Sequence, residues 1–79
     1  MSAPAFDHKI DITADLCPMT FVRTRLALDR MATGEVLLVR LAGAEPLENV
    51  PRTAEALGHH ILHRQTGPDG VTLLWLRRG

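Results

Sequence analysis

The chain has 79 residues, 46% of them hydrophobic, and its nine lysines and arginines balance nine aspartates and glutamates. This composition predicts one small globular domain, and the missing net positive charge argues against direct nucleic-acid binding. Charged residues interrupt every hydrophobic stretch, and no basic segment followed by an apolar run opens the chain. We therefore expect neither a membrane span nor a signal peptide.

The chain has a single cysteine, Cys17, which cannot form an internal disulfide. No cysteine or histidine pair has the spacing of a zinc site, and no glycine-rich phosphate loop is present. These features fit a reducing compartment. We therefore expect a soluble cytoplasmic protein without a metal or another cofactor.

The first half of the chain predicts a strand, a helix and a second strand. Residues 9–13 alternate as a strand does, and Pro18 suits the first turn of a helix, where its missing N–H needs no partner. Apolar residues then recur at three- and four-residue steps up to Gly34, a suitable left-handed helix cap. Residues 35–41, EVLLVRL, are nearly all apolar, which is typical of a strand in the middle of a sheet.

The second half predicts a helix followed by a hairpin. Residues 42–46 form a glycine- and proline-containing loop before this helix, which has Pro51 at or near its first turn and ends at Gly58. Residues 59–66 and 71–77 are strand-like runs, and the GPDG segment between them predicts a tight turn.

The order of these elements predicts an α/β (α+β) two-layer sandwich of βαβαββ topology, with a four-stranded mixed sheet and two helices on one face. We expect residues 1–7 to be a flexible amino-terminal lead and residues 8–79 to form the single domain. The exposed edges of such a sheet leave the oligomeric state open.

Cys17 lies at the junction between the first predicted strand and the first predicted helix. The free N–H groups and the dipole at a helix start favour an anion, so we expect the pKa of the Cys17 thiol to lie modestly below the value of about 8.5 for a free thiol. Such a thiol is a good nucleophile at neutral pH. The alternative from the residues alone is a small buried hydrophobic side chain, the commonest role of a free cysteine.

Several features together resemble the TusA/SirA-like sulfur-carrier family over about residues 8–78. They are Asp11 six residues before the cysteine, the Cys17-Pro18 pair, the apolar and basic pattern of residues 21–28, and the Glu45-Pro46 pair after the second strand. The family motif is Cys-Pro-x-Pro, whose cysteine carries a sulfane sulfur as a persulfide, and the family fold is a small βαβαββ sandwich. By position, the resemblance makes Cys17 the catalytic, persulfide-bearing residue, with Pro18 and Asp11 as supporting motif residues.

Two positions depart from the family pattern. Thr20 stands where the second motif proline is usual, and Ala14 stands where a glycine is usual. Thr20, the third supporting residue, supplies a hydroxyl and the backbone N–H that proline lacks, and an extra donor at a helix start favours an anionic sulfur. Because the loop at residues 43–50 is also shorter than in the tRNA-thiolation members, the resemblance does not imply transfer into tRNA modification.

The resemblance implies a sulfurtransferase-type sulfur carrier that accepts sulfane sulfur on Cys17 and passes it to an acceptor protein. The donor would be a cysteine desulfurase or a rhodanese-like protein, and the pathway that is fed stays open. The lack of a second cysteine fits this role, because a resolving cysteine would expel the sulfur. The alternative is a non-catalytic regulatory or redox-sensing interaction module of the same fold.

Six further residues are candidates for partner docking, each with an ordinary surface or packing role as the alternative: Met19, Arg23, Arg25, Glu45, Pro46 and Arg52. Arg25 precedes Asp29 by four residues, a spacing that allows an ion pair on a helix. His59 and His63 would share a strand face, but ordinary strand positions are favoured over a metal site because further ligands are missing. Trp75 is expected in the core or at a hydrophobic edge.

Overall fold

The computed structural model describes residues 5–13 and 19–79, and it contains four strands and two helices in these ranges. In chain order they are β1 (His8–Asp11), α1 (Met19–Asp29), β2 (Val36–Ala42), α2 (Ala44–Ala56), β3 (His60–Thr66) and β4 (Val71–Arg77). This order confirms the predicted βαβαββ topology.

The strands form one mixed sheet in the order β1-β2-β4-β3. The edge strand β1 is parallel to β2, whereas β4 is antiparallel to both β2 and β3. The strand predicted for the middle of the sheet is therefore internal. Because β1 and β2 are parallel, their carboxyl ends lie at the same end of the sheet. α1 begins beyond the end of β1, and α2 begins at the end of β2.

The hydrophobic core lies between the sheet and the two helices. Alternate residues of β2 and β4 face it and are fully buried, among them Val39 and its register partner Leu74. Leu28 of α1 and Val50 of α2 belong to the same buried cluster, so both helices cover one face of the sheet. This arrangement confirms the predicted two-layer sandwich and leaves the opposite face of the sheet without a helix.

The end of α1 differs from the prediction of a cap at Gly34. The helix ends at Asp29, and the N–H of Met31 then bonds the carbonyl of Leu28 at 3.1 Å in a tighter turn. This turn directs Met31 into the core, where it is 3% exposed. Gly34 does have a left-handed backbone, with φ of 91°, but it lies in the connection to β2.

The start of α2 also differs from the prediction. Ala44 begins the helix directly after Gly43, so Glu45 and Pro46 belong to its first turn and not to a loop. Pro46 is tolerated there because the first N–H groups of a helix have no intrahelical partner. Pro51 was predicted at or near the first turn but lies inside the helix, where it cannot donate to the preceding turn. The helix persists because Val50 beside it is anchored in the core.

The carboxyl-terminal hairpin confirms the predicted GPDG turn. The N–H of Gly67 bonds the carbonyl of Val71 at 2.9 Å, and Gly70 has a φ of 82° that an L side chain rarely adopts. A β-bulge at Leu62 interrupts the pairing of β3 with β4. Since a bulge shifts the alternation by one residue, Ile61 faces the core while His63 faces the other side of the sheet.

Candidate functional site

The candidate site is built around the connection from β1 to α1, in which Cys17 lies in sequence. Cys17 and Pro18 are outside the described residues, as is Ala14. The structure does show both ends of the connection: the chain leaves β1 after Asp11 and enters α1 at Met19 and Thr20. The carboxyl ends of parallel strands, where helices begin, are the usual location of functional groups in α/β sheets.

Asp11 organises the exit from β1. Its Oδ1 accepts the backbone N–H of Thr13 at 2.9 Å and the Thr13 hydroxyl at 2.6 Å. Its Oδ2 accepts a guanidinium N–H of Arg40 at 3.2 Å. The Thr13 hydroxyl, followed by the Thr13 N–H and Arg40, holds the pKa of the Asp11 carboxyl below its ordinary value of 3.8. Asp11 is thus an ionised acceptor that turns the chain towards the Cys17 connection.

Arg40 and Ile12 complete this anchor. The backbone N–H of Ile12 donates to the Arg40 carbonyl at 2.9 Å, and the Ile12 side chain is 1% exposed in the core. Arg40 therefore holds the end of β1 through both its backbone and its side chain. Arg40 was not among the site residues predicted from the sequence, although it is the only charged residue inside the apolar run of β2.

The first docking candidates lie on α1. Met19 opens the helix, and Arg23 and Arg25 lie on its exposed surface. The predicted ion pair of Arg25 with Asp29 is present at 3.9 Å, with both side chains more than half exposed, so it contributes little to stability.

Val22 and Leu26 are 39% and 51% exposed on α1. The helix therefore presents apolar groups to solvent as well as to the core. Arg23, Leu26 and Arg30 also line a depression of 200 Å³ beside Ile10 of the edge strand.

The remaining docking candidates lie on α2. Glu45 and Pro46 are in its first turn, at the same end of the sheet as the exit from β1. Arg52 was interpreted as lying near the helix start, but it is in the middle of α2, about 10 Å further along the axis than Glu45. Its guanidinium donates to the Glu48 carboxylate at 2.6 Å in an exposed ion pair. The structure thus brings Glu45 and Pro46 to the site end and leaves Arg52 away from it.

The histidines of the carboxyl-terminal half are dispersed. His59 precedes β3, and its Nδ1 accepts the N–H of Gly79 at 3.1 Å, whereas His63 packs edge-on against Trp75. In residues 5–13 and 19–79 no group of three histidine, cysteine or acidic side chains is arranged to hold a metal. None of the helices in these ranges has the length and apolar character needed to cross a membrane.

Known proteins are similar to this chain in sequence or in fold. A "Putative sulfur carrier protein" of Archaeoglobus fulgidus is 40% identical over 53 residues, which are 67% of this chain and 60% of that protein. A protein of the same name from Thermotoga maritima is 35% identical over 61 residues, or 76% of this chain and 77% of the relative. The match to the Archaeoglobus protein thus spans less than two thirds of that relative's length.

The crystal structure of a SirA-like protein from Desulfitobacterium hafniense has the same fold, with a TM-score of 0.80 at 23% identity, over 92% of this chain and 99% of that one. The sequence model of the family described as sulfurtransferase TusA matches residues 8–78, from the start of β1 to the residue after β4. This match covers the sandwich, the helix that begins beyond β1 and the single cysteine before that helix. The chain therefore belongs to the TusA sulfurtransferase family.

Proposed function

We propose that this protein accepts sulfane sulfur as a persulfide on Cys17 and relays it to a thiol of an acceptor protein in the cytoplasm. The observation that carries this proposal is the TusA family match over residues 8–78, which includes the only cysteine of the chain. Relatives named as sulfur carriers support the carrier role itself.

The position of Cys17 supports its role as the nucleophile. In the sequence it lies two residues before Met19, the first residue of α1, and the N–H groups at a helix start have no intrahelical partner. The helix dipole favours an anion there, and α1 has no acidic residue in its first turn to oppose it. A helix start therefore raises the fraction of a nearby thiol that is present as thiolate.

The transfer is an exchange between sulfur atoms without net oxidation. The Cys17 thiolate attacks the outer sulfur of a donor persulfide, the donor's S–S bond breaks, and the donor leaves as a thiolate while Cys17 becomes a persulfide. The acceptor thiolate then attacks the outer sulfur of the Cys17 persulfide and releases the Cys17 thiolate. Since the chain has no second cysteine, no internal thiol can expel the sulfur between the two steps.

The other predicted site residues have supporting roles in this proposal. Asp11, held by Thr13 and Arg40, fixes the direction in which the chain leaves β1. Pro18 and Thr20 shape the start of α1, and the Thr20 N–H adds a donor there.

The docking candidates close to the connection are Met19, Glu45 and Pro46, which lie at the site end of the two helices. Arg23 and Arg25 extend that surface along α1. Arg52, which lies further along α2, is the docking candidate with the weakest structural support.

The test is intact mass spectrometry of the reduced protein after incubation with a cysteine desulfurase and cysteine, or with a rhodanese and thiosulfate. We expect a gain of one sulfur atom that dithiothreitol removes and that the Cys17→Ser variant never shows. No gain from either protein donor or from glutathione persulfide, with the thiol protected from alkylation, would contradict the carrier role. That result would favour the regulatory module of the same fold.

A further inference from the structure

The sheet has a depression at the end where β1 and β2 finish. The tight turn between β3 and β4 lies at this end, because Val71 at the start of β4 pairs with Ala42 at the end of β2. The depression has a volume of 390 Å³, which is in the range of sites that bind small molecules. We refer to it as the hairpin depression, and its main lining residues are Arg40, Gln65, Pro68, Asp69, Val71 and Leu73.

The shape of the hairpin depression is fixed by the sheet and by the turn. Leu73 of β4 lies between its two register partners, Arg40 of β2 and Gln65 of β3. Since neighbouring strands are about 4.8 Å apart, these two polar residues stand about 10 Å apart with Leu73 between them. The turn that closes the depression is held by the Gly67 N–H, which donates to the Val71 carbonyl at 2.9 Å. The depression is therefore formed by the fold itself.

Three polar side chains of the hairpin depression have hydrogen-bonding groups that the described part of the chain does not use. A guanidinium has five N–H groups, and Arg40 donates one of them to Asp11 at 3.2 Å. Oδ1 of Asp69 accepts the Val71 N–H at 3.1 Å, whereas its Oδ2 accepts no hydrogen bond from a described residue. The side-chain amide of Gln65 forms none with them either. A cation, a carboxylate and an amide are therefore available to a ligand.

The charges of the hairpin depression favour a zwitterion. Arg40 and Asp69 line it with opposite charges, and Asp11, paired with Arg40, adds a second carboxylate nearby. A simple anion is repelled by the two carboxylates and a simple cation by the guanidinium, so neither is attracted strongly. A molecule with both a carboxylate and an ammonium group can place each one against the opposite charge. Free amino acids and short peptides carry this pair of groups.

The hairpin depression and the candidate site share Arg40. The Arg40 side chain reaches from β2 to Asp11, its register partner in β1, and the connection that contains Cys17 begins after Asp11. The described lining residues of the depression belong to β2, β3, β4 and the turn between the last two. A ligand held there therefore lies beside the exit from β1, and a sulfur atom that extends from it past Arg40 approaches the connection.

We propose that the hairpin depression binds a low-molecular-weight persulfide through the carboxylate and the ammonium of its amino-acid group, and that this molecule loads Cys17 directly. This inference rests on the proposed carrier function and adds a small-molecule donor to it. Arg40 binds the carboxylate and Asp69 binds the ammonium. The Cys17 thiolate attacks the outer sulfur, the S–S bond of the ligand breaks, and the ligand leaves as a thiolate without net oxidation. Glutathione persulfide and cysteine persulfide share this chemistry.

The first experiment measures binding without the reaction. The nitrogen-15-labelled Cys17→Ser variant is titrated with S-methylglutathione and with S-methylcysteine, which keep the zwitterion but have no sulfur to transfer. We expect saturable shifts of the backbone amide resonances of Gly67, Gly70 and Val71. Tighter binding of S-methylglutathione would identify the peptide as the ligand, and tighter binding of S-methylcysteine the single amino acid. No saturable shift at these residues with either compound would overturn the proposal.

The second experiment removes one carboxylate inside and one outside the hairpin depression. Asp69→Asn loses the charge and keeps an oxygen that can accept the Val71 N–H. The KM for loading from the corresponding persulfide should rise about fivefold at an unchanged maximal rate. The matched variant Glu55→Gln, at an exposed position of α2, should stay within about twofold. Loading from 2-hydroxyethyl persulfide, which has no charged group, should be equal in both variants and in the unmodified chain.

The outcomes separate the two proposals. Equal KM values in the Asp69 and Glu55 variants, or loading that never saturates with persulfide concentration, would overturn the hairpin depression as a binding site while the carrier function stands. Slower loading of Asp69→Asn from 2-hydroxyethyl persulfide would overturn it as well, because that donor has no charge to bind. Failure of all persulfides and both protein donors to load Cys17 would overturn the carrier function, and the loading role of the depression with it.

Discussion

At the residue scale, Asp11 connects the fold to the site. One carboxylate accepts two hydrogen bonds from Thr13 and one from Arg40, so the turn out of β1 depends on a single ionised side chain. Hydrogen bonds that favour the charged form lower a carboxyl pKa, which is the direction found here. The ionisation of Asp11 is therefore linked to the stability of the folded protein.

We expect the Asp11→Asn variant to be less stable than the unmodified protein at neutral pH and to lose stability less steeply in acid. Because the folded pKa of Asp11 is lowered, its contribution is present above the ordinary value of 3.8 and is lost as the pH falls through the folded pKa. Urea unfolding at a series of pH values measures this.

Glu35 retains part of the acid dependence in that variant. Its pKa is also lowered, first by the Ala32 N–H and then by His8. The matched control is Asp29→Asn, whose carboxylate has an exposed ion pair with Arg25 and a coulombic effect on His59, which titrates above the acid range compared here. An equal change of slope in both variants would contradict the role of Asp11.

At the element scale, α1 carries apolar residues on two sides for different reasons. Leu28 and Thr24 are buried at 1% and 2% exposure against the sheet, whereas Val22 and Leu26 face solvent. The three- and four-residue steps from Phe21 through Thr24 and Leu28 to Met31 predict the inward side, and Val22 and Leu26 lie outside that pattern. The outward pair belongs to the surface that begins at the site, and the inward pair stabilises the fold.

Alanine substitutions at Leu28 and Leu26 separate these two roles. Leu28→Ala leaves a cavity in the core and should lower the free energy of unfolding by about 2–5 kcal/mol. Leu26→Ala removes a side chain that is 51% exposed and should change it by no more than about 0.5 kcal/mol. Denaturant unfolding monitored by circular dichroism measures both variants. Similar losses in the two would mean that the helix packs by a different face.

At the scale of the whole molecule, the end of the sheet away from the site is closed by the carboxyl-terminal residues. The Arg78 carbonyl accepts the Gly34 N–H at 2.9 Å, and the Arg78 guanidinium donates to the Met31 carbonyl at 2.7 Å. Gly79 bonds the ring of His59 at 3.1 Å. These contacts tie the connection after α1 to the end of β4 and to the connection before β3.

The contact of His59 with the carboxyl-terminal residues predicts that the folded protein loses stability in mildly acidic solution. Burial, and then the Arg78 charge, lowers the pKa of His59, so the folded protein binds a proton at that ring less readily than the unfolded chain. The contribution is present above the ordinary value of 6.5 and is lost as the pH falls through the folded pKa. Thermal unfolding followed across this range should show the decrease.

A pair of neighbouring variants tests this assignment. His59→Gln should flatten the dependence between neutral and mildly acidic pH, because the titrating ring is removed. His60→Gln, at an exposed position of β3, should leave most of the dependence in place, because the His60 charge is the smallest of the causes that act on the pKa of His59. A flattening in His60→Gln alone would show that the acid sensitivity originates elsewhere.

The sequence by itself determined the order of elements, the identity of the internal strand, the hairpin turn and the family. These follow from local properties: the apolar run of β2, the backbone freedom of Gly70 and a motif around Cys17 are all visible within a few residues. The place of Cys17 before a predicted helix start indicates a reactive thiol, and the persulfide chemistry proposed for it comes from the resemblance to the family.

Only the tertiary structure decided which residues meet across the sheet. The pairing of Asp11 with Arg40 joins residues that are 29 positions apart, and on the sheet face without a helix the register aligns Leu38 with Trp75. The sequence misplaced the end of α1 and the start of α2, because burial of Met31 and anchoring of Val50 outweigh the local cap and proline signals. Contacts of this kind depend on how the elements pack, and local sequence patterns do not contain that information.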